Sequence, residues 1–427
     1  MRPCMYSGGM SIVIAGARVF TGDRVLPEAD VLVENGLVRE VGTALRGAER
    51  VDGRGRTLLP GLIDAHGHVF TTTELRHTLG FGVTTVLDML GNPGQVAELR
   101  AAAASDPGIA DLRSAGTGAT VPGGYPWFLV DMGYLTPFPT ITEPDEAPGF
   151  IADRVREGSD HIKILLEDGT TTGQALPALS VDTAAALVDS AHQHGKLAVA
   201  HALTVETTHA ALSAGVDVLA HVYLDRTDAE LPYRIAERGT PVIPTLVAVQ
   251  GLFGRPKARQ LLDDPRVEPY LDDTSRYLLN ADPVPLGPAA RHDLDGATQT
   301  VAELREAGAT ILAGSDTSNL FVAHGASLHV ELELLVAAGL SPLEALTSAT
   351  SAPADCFGLG DRGRIAPGLR ADLLLVEGDP TKAIGATLDI VAVWRGGRRA
   401  QRNSGGTLGS TSSGGPLSLH SIASDPV

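Results

Sequence analysis

Two cysteines, Cys4 and Cys356, in 427 residues are too few for a disulfide framework, and they lack the spacing of a metal site. No apolar run approaches the roughly 18 residues that a membrane-spanning helix needs, so no membrane partner is expected. Aromatic residues make up only 4% of the chain. Basic residues are outnumbered 33 to 51 by acidic ones, for a net charge of −18. A chain this acidic repels phosphate backbones, which argues against nucleic acid as a partner. Lysine is the scarcest charge of all: Lys163, Lys196, Lys257 and Lys382 are the whole set. Against these absences stands a 43% apolar content, ample for a large core and incompatible with a disordered or fibrous chain. The length suits one large domain or a large domain with a small companion.

The N-terminus carries an early Arg, but its apolar stretch Ser11 to Ala17 is short and runs into strand-like alternation. No signal peptide is read there, and a cytoplasmic protein is expected. Met5 and Met10 are alternative starts, so the first nine residues are expected to be ragged. Asn403 to Val427 is a Ser/Gly/Thr-rich run without periodicity, expected to be a disordered tail.

Short β-segments separated by turn residues occupy the first 57 residues (Ile12–Ala15, Asp30–Glu34, Leu37–Val41) and return over 363–402 (Ala371–Val376, Ile390–Trp394). Between them apolar runs alternate with amphipathic helical stretches. The runs are Leu58–Asp64, Thr84–Asp88, Ile162–Leu166, Leu197–Ala200, Val216–Ala220, Val242–Pro244 and Thr310–Ala313. Uniformly apolar strands in a βα rhythm predict a parallel sheet buried on both faces. The fold class is therefore α/β: a (β/α)8 TIM-type barrel over 58–362, with a small β-sandwich domain built from both chain ends. No Gly-rich loop follows the first strand, as an open nucleotide-binding sheet usually requires.

Active sites of such barrels gather where the strands end. The first run ends in His66-Gly67-His68, and residues two apart on an extended segment can grip one ion. His161-Ile162-Lys163-Ile164-Leu165-Leu166 sets a lysine inside an apolar strand. Burying that ammonium costs several kcal/mol unless it is paired, snorkels or is chemically changed, for example to an N-carboxylated lysine. His201 and His221 end two further runs and Asp316 follows a third. Each alone is commonly structural. Six at successive strand ends are poorly explained by chance.

These residues resemble the binuclear type of the amidohydrolase superfamily, and the imidazolonepropionase-like, prolidase-like branch in texture. The resemblance also rests on Leu59-Pro60-Gly61-Leu62-Ile63-Asp64-Ala65-His66, on Gly363 to Asp372, on Gly378-Asp379-Pro380, and on His324-Gly325 followed by Glu331. Members of the branch often carry a Glu before the sixth-strand His, a Gly after it, and His-Ala-His after strand 5. Here Ala220, Val222 and His201-Ala202-Leu203 stand instead, so the substrate of relatives does not transfer.

The resemblance implies two divalent ions, zinc first with Mn, Fe or Co as alternatives, held by His66, His68, Lys163, His201, His221 and Asp316. Lys163 would bridge them as a carboxylate derived from CO2, and Asp316 would shuttle the proton of a metal-bridged hydroxide. It implies hydrolysis of a C–N bond in an amide, N-acyl amino acid, dipeptide or urea-type small molecule. A lactone or cyclic-amide hydrolase or a decarboxylase is the alternative on the same scaffold, and a non-catalytic assembly protein a third reading. A homo-oligomer is left open.

Substrate contacts are sought in the loop after strand 3, about Gly116 to Glu143, which holds Tyr125, Trp127, Phe128, Tyr134 and Phe138. Either they wall a substrate or the loop packs on its own rings. Tyr223 and His324 are further candidates for substrate contact, with packing the alternative for Tyr223. Asp88 is read as a cap or a partner orienting a ligand histidine, and Leu252 to Arg291 as a lid. His77, His161, His192, His194, His209, His292 and His329 are read as packing or surface residues.

Overall fold

Segments of period-two alternation at both chain ends pair into one sheet. The computed structural model describes residues 11–133, 135–283 and 285–402. The first part of the chain supplies β1 (Ser11–Phe20), β2 (Val25–Glu34), β3 (Leu37–Gly42), β4 (Glu49–Asp52) and β5 (Arg56–Pro60). The middle supplies β6 (Leu62–Gly67), β7 (Val83–Asp88), β8 (Asp111–Ser114), β9 (Ile162–Leu165), β10 (Ala198–His201), β11 (Val218–Ala220) and β12 (Val242–Ile243). The last part adds β13 (Leu373–Glu377), β14 (Ile390–Arg395) and β15 (Arg398–Arg399).

The two ends form a mixed sheet of order β15-β14-β13-β5-β1-β2-β3, with β4 beside β1. They meet where β5 runs antiparallel to β13, Leu59 opposite Leu374. Alternate residues serve opposite faces: Ile14, Val31, Leu58, Leu375 and Trp394 build one apolar cluster, Val13, Ala15 and Leu32 another.

Leu58 to Asp64, expected as a single strand, is divided at Gly61 between this sheet and the next. Gly61 N–H donates to the Asp372 carbonyl at 2.7 Å, and a Cβ built on Gly61 would collide with the Thr84 side chain. Only glycine lets the two sheets approach this closely. Gly61→Ala is expected to destabilise the protein by about 1–3 kcal/mol through overpacking. Denaturant unfolding checks it, and an unchanged midpoint would count against the close approach.

β6, β7 and β8 form one parallel sheet and β9, β10, β11 and β12 another, in the order β12-β11-β10-β9. Their residues are almost wholly buried, as strands covered on both faces must be. Isolated parallel bridges link Ala119 to Ile164, Val242 to Ile311 and Gly67 to Thr317. Thr310–Ala313, expected as a regular strand, consists only of such bridging contacts, and the positive φ of Asp316 (55°) departs from extended geometry just beyond it. β8 stands where a third strand is expected, just before Gly116, although Asp-Leu-Arg-Ser has no apolar run to mark its bounds. Its polar start is satisfied by charge: Asp111 lies within 2.9 Å of Arg370 and also pairs with Arg362.

Helices follow the strands and begin where the sequence supplies caps. Thr71 and Glu74 form a capping box at Thr72–Gly80, and the Ser180 hydroxyl accepts from Thr183 N–H at Val181–Gln193, satisfying donors a helix start leaves open. The main core packs Val83, Val86, Ile162, Ile164 and Leu219 against helical residues such as Leu187, Leu212 and Val301. A second cluster joins Ile63, Leu87, Val199, Val218, Ala220, Ile243 and Leu312. The partition sets direction: Ile162 and Ile164 face the main core, so Lys163 points the other way, and His201 shares a face with Val199.

The stretch Leu252 to Arg291 holds a helix at Asp273–Leu279 and shorter 3-10 turns. Gly287 N–H donates to the Thr172 carbonyl at 2.8 Å and Arg291 N–H to that of Thr170 at 3.1 Å, tying the stretch to the segment that follows β9. Among the described residues no helix is long and apolar enough to cross a membrane. The expectations for the first nine residues, Tyr134 and the 403–427 tail lie outside the described residues.

Candidate metal centre

Six side chains singled out at strand ends occupy one neighbourhood. Asp316 Oδ1 lies 3.2 Å from His68 Nε2 and 3.5 Å from His66 Nε2, and its Oδ2 is 4.0 Å from His221 Nδ1. Ligand atoms of His66, His68 and Asp316 all fall within 4.8 Å of one another, close enough for one ion. The ring of His221 is 4.8 Å from that of His66 and 4.5 Å from that of His201, centroid to centroid. Lys163, 2% exposed, has its Nζ buried without a hydrogen-bond partner among the described residues.

The four histidines do not reach the cluster in the same way. His201 arrives by strand alternation. His221 follows Ala220, whose side chain shares the cluster of Val218, so a regular strand would turn the imidazole to the opposite face. A φ of 73° at His221 interrupts that alternation, a left-handed conformation that carries strain in a residue with a Cβ.

Burial dominates the electrostatics. It pulls the Lys163 ammonium down to about 7, with the Asp316 carboxylate opposing. Burial, reinforced by Lys163 and the neighbouring imidazoles, holds His66 and His221 well below the usual histidine range. Neutral imidazole is the ligand form. For His68 burial also opposes charge, but the hydrogen bond and charge of Asp316, with Asp88 behind, outweigh it and raise the pKa.

Outer contacts hold several of these groups. Asp64 accepts from Ser315 N–H at 2.9 Å, from the Ser315 hydroxyl, and from His66 N–H at 3.2 Å, joining the two strand ends that carry His66 and Asp316. Asp88 accepts from Val69 N–H at 3.3 Å and from the Ser114 hydroxyl. Its charge helps raise the His68 pKa. Glu167 was not anticipated. It is buried, accepts from Gly169 N–H at 2.6 Å, and sets Oε2 3.1 Å from His201 Nε2. Its sequence signal is an acid directly after the apolar run Ile162–Leu166, four residues beyond Lys163 on the same alternation.

Of the substrate-contact candidates, Tyr125 stacks on His201 with ring centroids 4.8 Å apart and planes at 27°. Its pKa is raised by burial and by the carboxylates of Asp316 and Glu167, so its hydroxyl shares the site. The other three lie differently. Trp127 packs on Phe138 at 5.5 Å, a ring pair within its own loop. Tyr223 is buried in the main core with its hydroxyl 3.4 Å from the Asp228 carbonyl, because the chain turns at His221. His324 donates from Nε2 to the His68 carbonyl at 2.9 Å and so braces a ligand's backbone. His329, read as packing, is buried between Thr387 and Phe81 at 2.9 and 2.8 Å. His161 is buried edge-on to Phe357, ring centroids 5.4 Å apart.

The amidohydrolase family model matches residues 57–400. The chain belongs to the amidohydrolase family. Among solved structures, this amidohydrolase resembles a prolidase candidate from Bifidobacterium longum at 27% identity and TM-score 0.73, covering 93% of this chain and 96% of that one. A Xaa-Pro dipeptidase with bound methionine matches at 22% identity and TM-score 0.74, covering 92% and 100%, which speaks for the fold alone. The 5-methylthioadenosine/S-adenosylhomocysteine deaminase of Halobacterium salinarum is 27% identical over 390 residues, 86% of this chain and 84% of that protein. Two further curated relatives match over short segments. The chain spans 12% of the length of the adenine deaminase of Lysinibacillus sphaericus, at 35% identity over 18% of its own residues. It spans 15% of the dihydroorotase of Trichlorobacter lovleyi, at 44% identity over 14% of its own.

Proposed function

We propose that this amidohydrolase is a metal-dependent enzyme that hydrolyses a C–N bond of a small molecule: an amide, N-acyl amino acid, dipeptide or urea-type compound. The observation that carries the reading is Lys163, whose buried Nζ has no hydrogen-bond partner among the described residues while the imidazoles of His66, His68 and His221 and the carboxylate of Asp316 lie close enough to feel its charge. An unpaired ammonium in such a place costs several kcal/mol. A neutral amine, favoured because burial pulls the pKa down to about 7, can instead form an N–C bond to CO2 and release one N–H proton, becoming a carbamate whose carboxylate carries the charge. With that change the donor set is neutral nitrogens and anionic oxygens, the chemistry that suits zinc, manganese, iron or cobalt.

In this reading His66 and His68 would hold one ion and His201 and His221 a second, with carboxylated Lys163 and Asp316 completing the set. Bound there, the ions would supply Lewis acidity to polarise a carbonyl and acidify water. The protein's own groups do the rest. Asp316 accepts the proton of the attacking water and passes it to the departing nitrogen. Tyr125, stacked on His201, offers its hydroxyl to a substrate oxygen. Glu167 fixes the orientation of His201.

The proposed architecture is a closed eight-stranded barrel that starts at Leu62, past the division at Gly61, rather than at Leu58, and runs to 362, supported by the bridges Ala119–Ile164, Val242–Ile311 and Gly67–Thr317 between the ends of the two parallel sheets. The eight-stranded sheet of β1 to β5 and β13 to β15, apolar on both faces, would be the small sandwich-like domain.

Hydrolysis of N-acyl amino acids, dipeptides, anilides, ureas, lactones and cyclic amides, assayed with added Zn²⁺ or Mn²⁺, tests the reading. Turnover of an acyclic amide or urea is expected, and is lost with chelator. Turnover confined to lactones or cyclic amides would favour the second reading, which the short dihydroorotase match supports. No turnover across the panel with metal bound would favour a non-catalytic role.

A further inference from the structure

Glu331 is a fully buried carboxylate that the proposed chemistry does not use. Its two oxygens accept from Leu246 N–H at 3.0 Å and Val247 N–H at 2.7 Å, the first turn of the helix Leu246–Leu252. The residue before that helix, Thr245, is also fully buried and sits at φ 51°, ψ 40°. The left-handed region is among the least comfortable for a β-branched side chain, and a conformation of this kind persists only where its surroundings enforce it. Glycine or asparagine would adopt it with less strain. Thr245 places its hydroxyl oxygen 2.7 Å from His221 Nδ1. His221 is itself left-handed at φ 73°.

We propose that Thr245, held left-handed by the carboxylate of Glu331, is a positioning residue that fixes the His221 imidazole with Nδ1–H donating to its hydroxyl and Nε2 left to bind a cation. The inference rests on the metal reading of the site. It assigns a task to a strained threonine and a buried acid, 86 residues apart in sequence, that packing alone does not require. Partners of this kind fix the tautomer and ring orientation of a metal-binding histidine, and their loss typically lowers metal affinity about 10–100-fold.

The test compares zinc binding to chelator-stripped protein by competition with a chromophoric chelator, alongside the melting temperature of the stripped protein. Thr245→Val keeps the shape and removes the hydroxyl, Thr245→Ser restores the hydroxyl, and Thr245→Asn relieves the backbone without restoring it. Thr245→Val and Thr245→Asn are expected to bind the weaker zinc equivalent at least about tenfold less tightly. Thr245→Ser should stay near the parent, and Thr245→Asn should melt no lower than Thr245→Val. Zinc affinity unchanged in Thr245→Val and Thr245→Asn overturns the positioning role while leaving the metal reading intact. A parent protein that binds no zinc overturns both. Should Thr245→Val fail to fold, Thr245→Asn and Thr245→Ser decide the question alone.

Discussion

Asp316→Asn is expected to lower kcat by about 10³-fold while leaving most of the metal bound. The side chain is the hub of the cluster, with one oxygen near His66 and His68 at 3.5 and 3.2 Å and the other 4.0 Å from His221. Asparagine keeps the volume and one ligating oxygen but no longer accepts and returns a proton. A ligand role alone would make metal content and turnover fall together; a proton-carrying role separates them. Metal analysis and kcat measured on the same preparation distinguish the two. Turnover within about tenfold of the parent would discard Asp316 as the carrier.

Lys163→Ala is expected to cost at least about 100-fold in activity, since even an indirect partner of a metal site can cost that much. The loss should be partly reversed by millimolar formate, acetate or propionate, small enough to occupy the space the side chain leaves and to supply a carboxylate there. Only a lysine that works as a carboxylate predicts such rescue. A lysine that merely fills the strand interior predicts a lower melting temperature and no response to short acids. Undiminished activity in Lys163→Ala would remove the bridging role.

The sequence marks these groups with unequal clarity. His66, His68 and Lys163 were legible because apolar runs make their polar interruptions conspicuous, and because a chain with four lysines makes a lysine within a strand a costly exception. His201 follows by simple alternation. His221 was assigned by the same logic, yet alternation alone would have turned it away from the site. The left-handed turn that interrupts the alternation is tied to Thr245, which is held by Glu331 from a helix near the end of the fold, a long-range device that no local pattern announces. Glu167 escaped notice because an acid after a strand is ordinary until its partner is known. Tyr223 and the Trp127 loop were left open between substrate contact and packing, because ring residues suit both; Tyr223 packs in the core and Trp127 against Phe138 of its own loop.

The fold was legible at the level of rhythm and less so at its joints. Buried parallel strands and the pairing of both chain ends follow from hydrophobic pattern. The division at Gly61 depends on steric contact with Thr84, and β8 on charges from Arg362 and Arg370, neither of which a pattern of apolar residues encodes.

The most direct test of the account is the metal content of the purified protein, measured by mass spectrometry after removal of loosely bound ions and repeated on Lys163→Ala. About two divalent ions per chain are expected in the parent, as a paired-ion site requires, and fewer in the variant. A parent protein that binds no divalent ion, before or after incubation with zinc or manganese and bicarbonate, would contradict it.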